Sequence, residues 1–130
     1  MKKTKRLAEA EWELMVFIWA SRKPTTVREI RDALYPEGEK AYTTVQTITN
    51  ILVDKGFLQK EKIGMVNFYY PAISKEELAK QETKTLVSRI FEGSFGNLAA
   101  YLVDSGELSG TELEKLKDLI NQKERGGGES

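Results

Sequence analysis

The stretch FLQKEKIGMVNFYYPAI, residues 57–73, shifts the apolar period of the chain from near 3.6 to near 2, directly after three segments that repeat as helices. Three helices followed by a hairpin restrict the architecture more than any other feature of the chain. Phe57 to Lys62 and Asn67 to Ala72 carry the β-formers of two strands, with the bend near Ile63-Gly64-Met65 and Pro71 suited to a strand end. Lys55-Gly56, just before them, suits the carboxyl-terminal cap of a helix.

Between Ala8 and Ala20, Trp12, Met15, Val16 and Trp19 fall at i, i+3, i+4 and i+7, and Leu14, Phe17 and Ile18 widen the apolar face. This spacing predicts a largely buried first helix whose tryptophans belong to the core and are not a stacking platform for bases. Lys23-Pro24 ends it. Thr26-Val27-Arg28-Glu29 is a capping box for a short second helix with Val27, Ile30, Ala33 and Leu34 on one side, which Tyr35-Pro36-Glu37-Gly38 breaks. In the third, AYTTVQTITNILVDKG, Val45, Ile48 and Leu52 lie within an arc of about 60° and form the expected buried stripe. Thr43, Gln46, Thr47 and Asn50 gather within about 100° on the other side, with Tyr42 and Thr44 near the amino end.

After the hairpin, Ser74-Lys75-Glu76-Glu77 is a second capping box, opening a helix to about Glu92 with Leu78, Leu86, Ile90 and Phe91 as its apolar members. Gly93-Ser94 interrupts it. A short helix follows from about Phe95 to Asp104, and Ser109-Gly110-Thr111-Glu112, a third box, starts a last one with Leu113, Leu116, Leu119 and Ile120. Three amphipathic helices expose more apolar surface than so small an appendage can bury alone, so a second copy of the chain is the expected cover. The division expected is 1–73 as a unit of three helices and a hairpin, 74–125 as a helical dimerisation region and 126–130, within ERGGGES, as a disordered tail.

The chain has no cysteine and no histidine, which removes disulfides, Cys/His zinc sites, thiol nucleophiles and imidazole catalysis. No nucleophile, base and oxyanion grouping stands out, and capping accounts for Glu29, Glu77 and Glu112, so an enzyme is the least favoured class; no cofactor or metal is expected. The opening MKKTKRLAEAEWELMVFIWASRK imitates a signal peptide, but Glu9, Glu11 and Glu13 spoil the apolar run. Leu14 to Ala20 is far short of the roughly 20 residues that span a bilayer. No membrane insertion and a cytoplasmic location are therefore the expectation.

Each β-branched threonine costs a helix a few tenths of a kcal/mol, roughly 0.5 at most, so the run in the third helix needs another reason. Groove readout supplies one. A threonine hydroxyl can bond a phosphate or base edge and its methyl can touch the thymine methyl, while Gln46 and Asn50 can each pair with adenine N6/N7. A merely solvated face would usually carry Glu and Lys at i, i+4 spacing, whereas this one is uncharged. Residues 1–73 hold twelve Lys/Arg against nine Asp/Glu, and the remainder eight against eleven, which places an anionic partner with the first part although the total charge is zero. Lys60 and Lys62 on the hairpin, Arg28, Lys40, and the amino-terminal Lys2, Lys3, Lys5 and Arg6 are candidates for neutralising phosphates. Helix, helix, helix, hairpin is the order of a winged helix-turn-helix, whose third helix enters the major groove. The expected fold is thus mainly α with a small antiparallel β-hairpin.

Glu11-Trp12-Glu13 with Trp19, the run AYTTVQT, Asp54-Lys55-Gly56, the hairpin ending Phe68-Tyr69-Tyr70, and Gly93-Ser94-Phe95 with Leu108-Ser109 resemble the pattern of the penicillinase and methicillin-resistance repressors (BlaI/MecI), to which copper-responsive CopY-type repressors also belong. The similarity covers nearly the whole chain. It implies a winged-helix domain on a palindromic double-stranded DNA operator and a carboxyl-terminal region that interlocks a homodimer. Leu86, Ile90, Phe91, Phe95, Leu98, Tyr101, Leu102, Leu113, Leu116 and Ile120 are then the expected interface, and Arg28, Tyr42, Thr43, Thr44, Gln46, Thr47, Asn50, Lys60 and Lys62 the DNA contacts. The copper-responsive members carry cysteines near the carboxyl terminus, which this chain lacks, so thiolate metal sensing is ruled out. In antibiotic-responsive members a membrane sensor-protease triggers cleavage in the dimerisation region. The matching position here is near Tyr101-Leu102, without the asparagine-phenylalanine pair associated with cleavage. The competing reading is a winged-helix protein-interaction module that does not touch nucleic acid.

Overall fold

The computed structural model describes residues 6–126, in the order α1 (Glu9–Ser21), α2 (Val27–Leu34), α3 (Tyr42–Asp54), β1 (Leu58–Ile63), β2 (Val66–Pro71), α4 (Lys75–Ile90), α5 (Phe95–Asp104) and α6 (Gly110–Gly126). Two compact units divide between Ala79 and Lys80. The winged-helix order of three helices and a hairpin is present in the first. Lys2, Lys3 and Lys5, and residues 127–130 of the expected tail, lie outside the described residues. Gly126, expected in the disordered tail, instead closes α6, where Lys123 and Arg125 place positive charge against the negative end of the helix dipole.

The first unit is built on Leu14, Met15, Ile18, Val27, Ile30, Tyr35, Val45, Leu52, Phe57, Leu58, Tyr69 and Leu78, all buried. The expected phase of α1 is wrong by nearly a third of a turn: Glu11, Leu14, Met15 and Ile18 face inward, while Trp12 and Val16 are exposed. The cause is that α1 is apolar almost all round, so spacing alone does not mark its inner side, and the deciding residue is a charged one. The Glu11 carboxylate accepts from the Ala8 N–H at 2.8 Å and from the Lys55 ammonium at 2.8 Å, and Lys55 also donates to the Arg6 carbonyl at 2.8 Å. Partners on each side make a buried carboxylate tolerable, and that fixes the phase. Trp19 does pack against the core, its indole N–H donating to the Ile73 carbonyl at 3.0 Å. In α2, Ala33 is exposed and not part of the inner face; the eight-residue helix has room for only Val27, Ile30 and, half-buried, Leu34 inside.

The helix boundaries follow their caps. Thr26 and Glu29 exchange both bonds of the α2 capping box, at 3.1 and 3.0 Å, and Ser109 and Glu112 do the same for α6, at 3.0 and 2.9 Å. The Ser74 hydroxyl accepts the Glu77 N–H at 3.0 Å to start α4. At the end of α3 the Phe57 N–H returns to the Leu52 carbonyl at 2.9 Å and the Gly56 N–H to the Val53 carbonyl at 3.0 Å, with Gly56 at φ +89. This is a Schellman cap, and its left-handed position is why glycine follows Lys55. It turns the chain directly into β1.

The hairpin is antiparallel, from Leu58↔Pro71 to the closing pair Ile63↔Val66, so both strands reach one residue nearer the turn than the sequence pattern suggested. The bend is the two-residue Gly64-Met65, with Gly64 at φ +65. Thr25, between α1 and α2, adds one bridge to the outer edge of β2: its N–H donates to the Tyr69 carbonyl at 2.9 Å and accepts in return at its carbonyl from the Tyr69 N–H at 2.7 Å.

In the second unit α4 ends at Ile90, two residues short of the expected Glu92, because Glu92 (φ +53) and Gly93 (φ +80) turn the backbone left-handed. Ser94 then caps α5 through the Asn97 N–H at 3.0 Å. Val87 is buried, but α5 and α6 contain no buried residue. Phe91 and Tyr101 stack tilted with ring centres 5.8 Å apart.

Candidate nucleic-acid interface

The outward side of α3 is set by what its inward side buries. Val45, Leu52 and Thr49 are fully buried and Ile48 is half-buried, which leaves Tyr42, Thr43, Thr44, Thr47 and Asn50 exposed and Gln46 half-exposed. Thr49 therefore differs from its neighbours: its hydroxyl donates to the Gln46 carbonyl at 2.8 Å inside the helix, so it packs as a small core residue. The buried arc is turned toward it relative to the expected Val45–Ile48–Leu52 stripe. Of the threonines in this helix, three face outward and one faces in.

Local bonds restrict what the outward face can offer. Thr47 donates its hydroxyl hydrogen to the Thr43 carbonyl at 3.0 Å, which leaves the oxygen lone pairs free to accept, for example from an adenine or cytosine amine. The Tyr69 hydroxyl lies 3.5 Å from the Asn50 carboxamide oxygen, at the outer limit of a hydrogen bond, so β2 meets the recognition face at that residue. Tyr69 escapes pattern reading, because its contact depends on the hairpin folding back beside α3. The only advance sign is its place in Phe68-Tyr69-Tyr70.

Helix α3 starts at Ala41 without a side-chain cap and without an acidic residue in its first turn. Its first amides and the positive end of its dipole are left available to an anion. Lys40, immediately before, holds its ammonium 5.2 Å from the centre of the Tyr35 ring. Tyr35 is anchored in turn, its hydroxyl donating to Glu13 at 2.7 Å; burial first, and then this bond, push its phenol above the usual tyrosine range. A neutral phenol fixed to α1 thus carries the cation at the start of α3.

Alternation along β1 puts Lys60 and Lys62 on the same face as Leu58, which is buried, and opposite Tyr69 and Asn67. Both lysines are exposed and stand on the side of the hairpin that carries Tyr69 toward α3. Arg28 is exposed on α2, and Arg6, also exposed, precedes α1. The residues expected to touch DNA in the first unit thus comprise one uncharged face of α3, two exposed lysines on the hairpin and the exposed Arg28 on α2. In the second unit, Leu86, Ile90, Phe95, Tyr101, Leu102 and Ile120 are exposed, and Phe91, Leu98, Leu113 and Leu116 are half-buried. Among the described residues no group of three acidic side chains is placed to hold a metal ion, and no helix is long and apolar enough to cross a membrane.

The family model described as penicillinase repressor matches residues 7–122. The methicillin resistance regulatory protein MecI of Staphylococcus aureus is 26% identical over 121 residues, 93% of this chain and 98% of that protein. The penicillinase repressor of Bacillus licheniformis is 26% identical over 122 residues, 94% of each. Among solved structures, the DNA-binding domain of the repressor BlaI is 31% identical with a TM-score of 0.50, covering 59% of this chain and 93% of that domain.

Proposed function

The chain belongs to the penicillinase repressor family, whose members are transcriptional repressors and not enzymes, and we propose that it acts as a homodimer on a palindromic operator, with α3 of each subunit in the major groove. The observation that carries this reading is the outward face of α3: largely exposed, uncharged and rich in short hydrogen-bonding side chains, with Lys40 just before it in the chain and Lys60 and Lys62 on the hairpin face that brings Tyr69 to Asn50. Gln46, Thr47 and Asn50 read base edges; the cations and the open amino end of α3 hold phosphates. A twofold dimer spaces two such helices by about 34 Å, one turn of DNA, or a multiple of it. Such a repressor works beside the chromosome, in the cytoplasm.

The operator is found by selecting duplexes from a random library with the purified chain. Against the selected duplex, Gln46→Ala and Thr47→Ala are each expected to lose roughly 1–3 kcal/mol of discrimination over single-base variants. Lys62→Ala is expected to weaken all sequences alike. Unchanged discrimination in gel-shift titrations of the first two removes α3 from readout. The competing reading, a protein-interaction module, separates by salt: phosphate contacts make log K fall with log salt by about 0.9 for each phosphate neutralised, whereas an apolar protein interface responds weakly.

Release by cleavage at Tyr101-Leu102 through a membrane sensor-protease belongs to the same proposal. Both side chains are exposed, at 59% and 41%, yet the bond lies inside α5, so a protease that binds extended substrate needs that helix to open locally. Mass spectrometry after incubation with the cognate sensor is expected to show two fragments meeting at this bond; an intact chain removes this mode of induction.

A further inference from the structure

A cleft of about 460 Å³ opens between the end of α1, the loop into α2 and the hairpin, a size within the roughly 300–1,000 Å³ of small-molecule sites. It lies apart from the residues expected to touch DNA: Glu61 and Tyr70, which the strands contribute to it, are on the hairpin face opposite Lys60, Lys62 and Tyr69. Its apolar walls are Trp19, Pro24, Tyr70 and Pro71. The Trp19 ring is fixed in that wall by its bond to the Ile73 carbonyl at 3.0 Å.

Two opposite charges share the lining, Arg22 and Glu61, and among the described residues neither enters an ion pair. Lys23, beside them, is engaged with Glu29 at 3.7 Å. Arg22 is also the residue that ends α1 in the left-handed region, at φ 62, which glycine adopts freely and a side chain only at a cost. A charged residue retained at such a backbone outlier serves something other than the local fold.

We propose that this cleft binds a small zwitterion with a flat apolar body, of the class of the aromatic α-amino acids. The Arg22 guanidinium takes the carboxylate, Glu61 takes the ammonium, and the ring lies among Trp19, Pro24, Tyr70 and Pro71. An acid without an amine leaves Glu61 facing a carboxylate, and an amine without an acid leaves Arg22 facing an ammonium; an occupant that carries both groups answers both charges. Residues 22–24 run directly into Thr25, which bridges to Tyr69, so an occupant holding Arg22 and Glu61 ties this loop to the hairpin a second time.

The test titrates the isotope-labelled whole chain with L-phenylalanine, with phenylpropionate, which lacks the amine, and with phenethylamine, which lacks the carboxylate, while the indole N–H resonances are followed by NMR. L-phenylalanine is expected to move the Trp19 signal saturably, with a Kd of about 1 mM, and to leave that of Trp12, outside the cleft, in place. Each truncated molecule is expected to bind about fivefold or more weakly. Arg22→Gly suits the left-handed backbone and keeps the fold. This variant is expected to lose about fivefold for L-phenylalanine and phenylpropionate and to leave phenethylamine unchanged. Glu61→Gln is expected to weaken L-phenylalanine and phenethylamine and to spare phenylpropionate. No saturable shift up to about 20 mM, equal shifts at both indoles, or equal affinity for all three molecules overturns the site. Zwitterion binding that neither variant lowers overturns the roles of Arg22 and Glu61. None of these readings involves the operator, so their failure leaves the reading of α3 intact.

Discussion

Replacing Ile90 and Ile120 together by aspartate is expected to leave a folded monomer whose operator affinity is lower by roughly 10²- to 10⁴-fold. The two isoleucines are 66% and 56% exposed within one chain, so neither contributes to that chain's own core, and the change costs it little. Across a dimer interface the same aspartates would bring charge into an apolar contact where nothing pairs with it. Losing the partner separates the two recognition helices, and the second half-site then binds from free solution instead of at the high effective concentration that linkage provides. Sedimentation velocity gives the oligomeric state and a gel-shift titration the affinity. A variant that stays dimeric, or that is monomeric and still binds as the unaltered chain does, would show that these faces are not what brings two subunits to the operator.

The second large effect concerns stability. Lys55→Met is expected to destabilise the first unit by roughly 3–5 kcal/mol, toward the lower figure because the lysine side chain retains 29% exposure. Its removal strands the Glu11 carboxylate, only 9% exposed, with the Ala8 amide as its remaining partner. The same change frees the Arg6 carbonyl and unties the end of α3 from the start of α1. Urea unfolding followed by the fluorescence of the two tryptophans, of which Trp19 packs against this core, reads the loss. Adding Glu11→Leu to Lys55→Met should recover most of it, since an apolar pair leaves no buried charge. A single variant within about 1 kcal/mol of the unaltered chain would mean that solvent reaches the carboxylate and the pair is worth no more than a surface one.

The contrast between α2 and α1 shows what periodicity can and cannot reveal. Thr26 and Glu29 mark the start of α2 because a capping box is a local device whose partners lie three residues apart. The inner side of α1 depends on Lys55, forty-four residues away, so helical spacing points to the aromatic pair as core and gives no sign that the acid beside Trp12 is buried. Lys55-Gly56 reads as a helix cap and Glu11 as a break in an apolar run; the contact between Lys55 and Glu11 gives both segments a further physical reason. On α3 the outward set of Thr43, Thr47 and Asn50 followed from the helical period. Thr49, four residues after Val45 and three before Leu52, lies on the buried side by the same period, and its hydroxyl, like that of outward-facing Thr47, is satisfied within the helix. Tyr69 and Thr25 were missed because their mutual bonds span a loop, two helices and a strand.

The Thr25 bridge to Tyr69 has a mechanical consequence. Because Tyr69 spends both of its backbone groups on Thr25 while its neighbours Phe68 and Tyr70 pair with β1, the hairpin is clamped at that level like a beam set in a wall. Only the pairs Glu61↔Phe68, Lys62↔Asn67 and Ile63↔Val66 overhang the clamp, a cantilever of about 10 Å. So short a lever can tilt through a small angle at its free end, but it cannot swing independently of the loop that leads into α2.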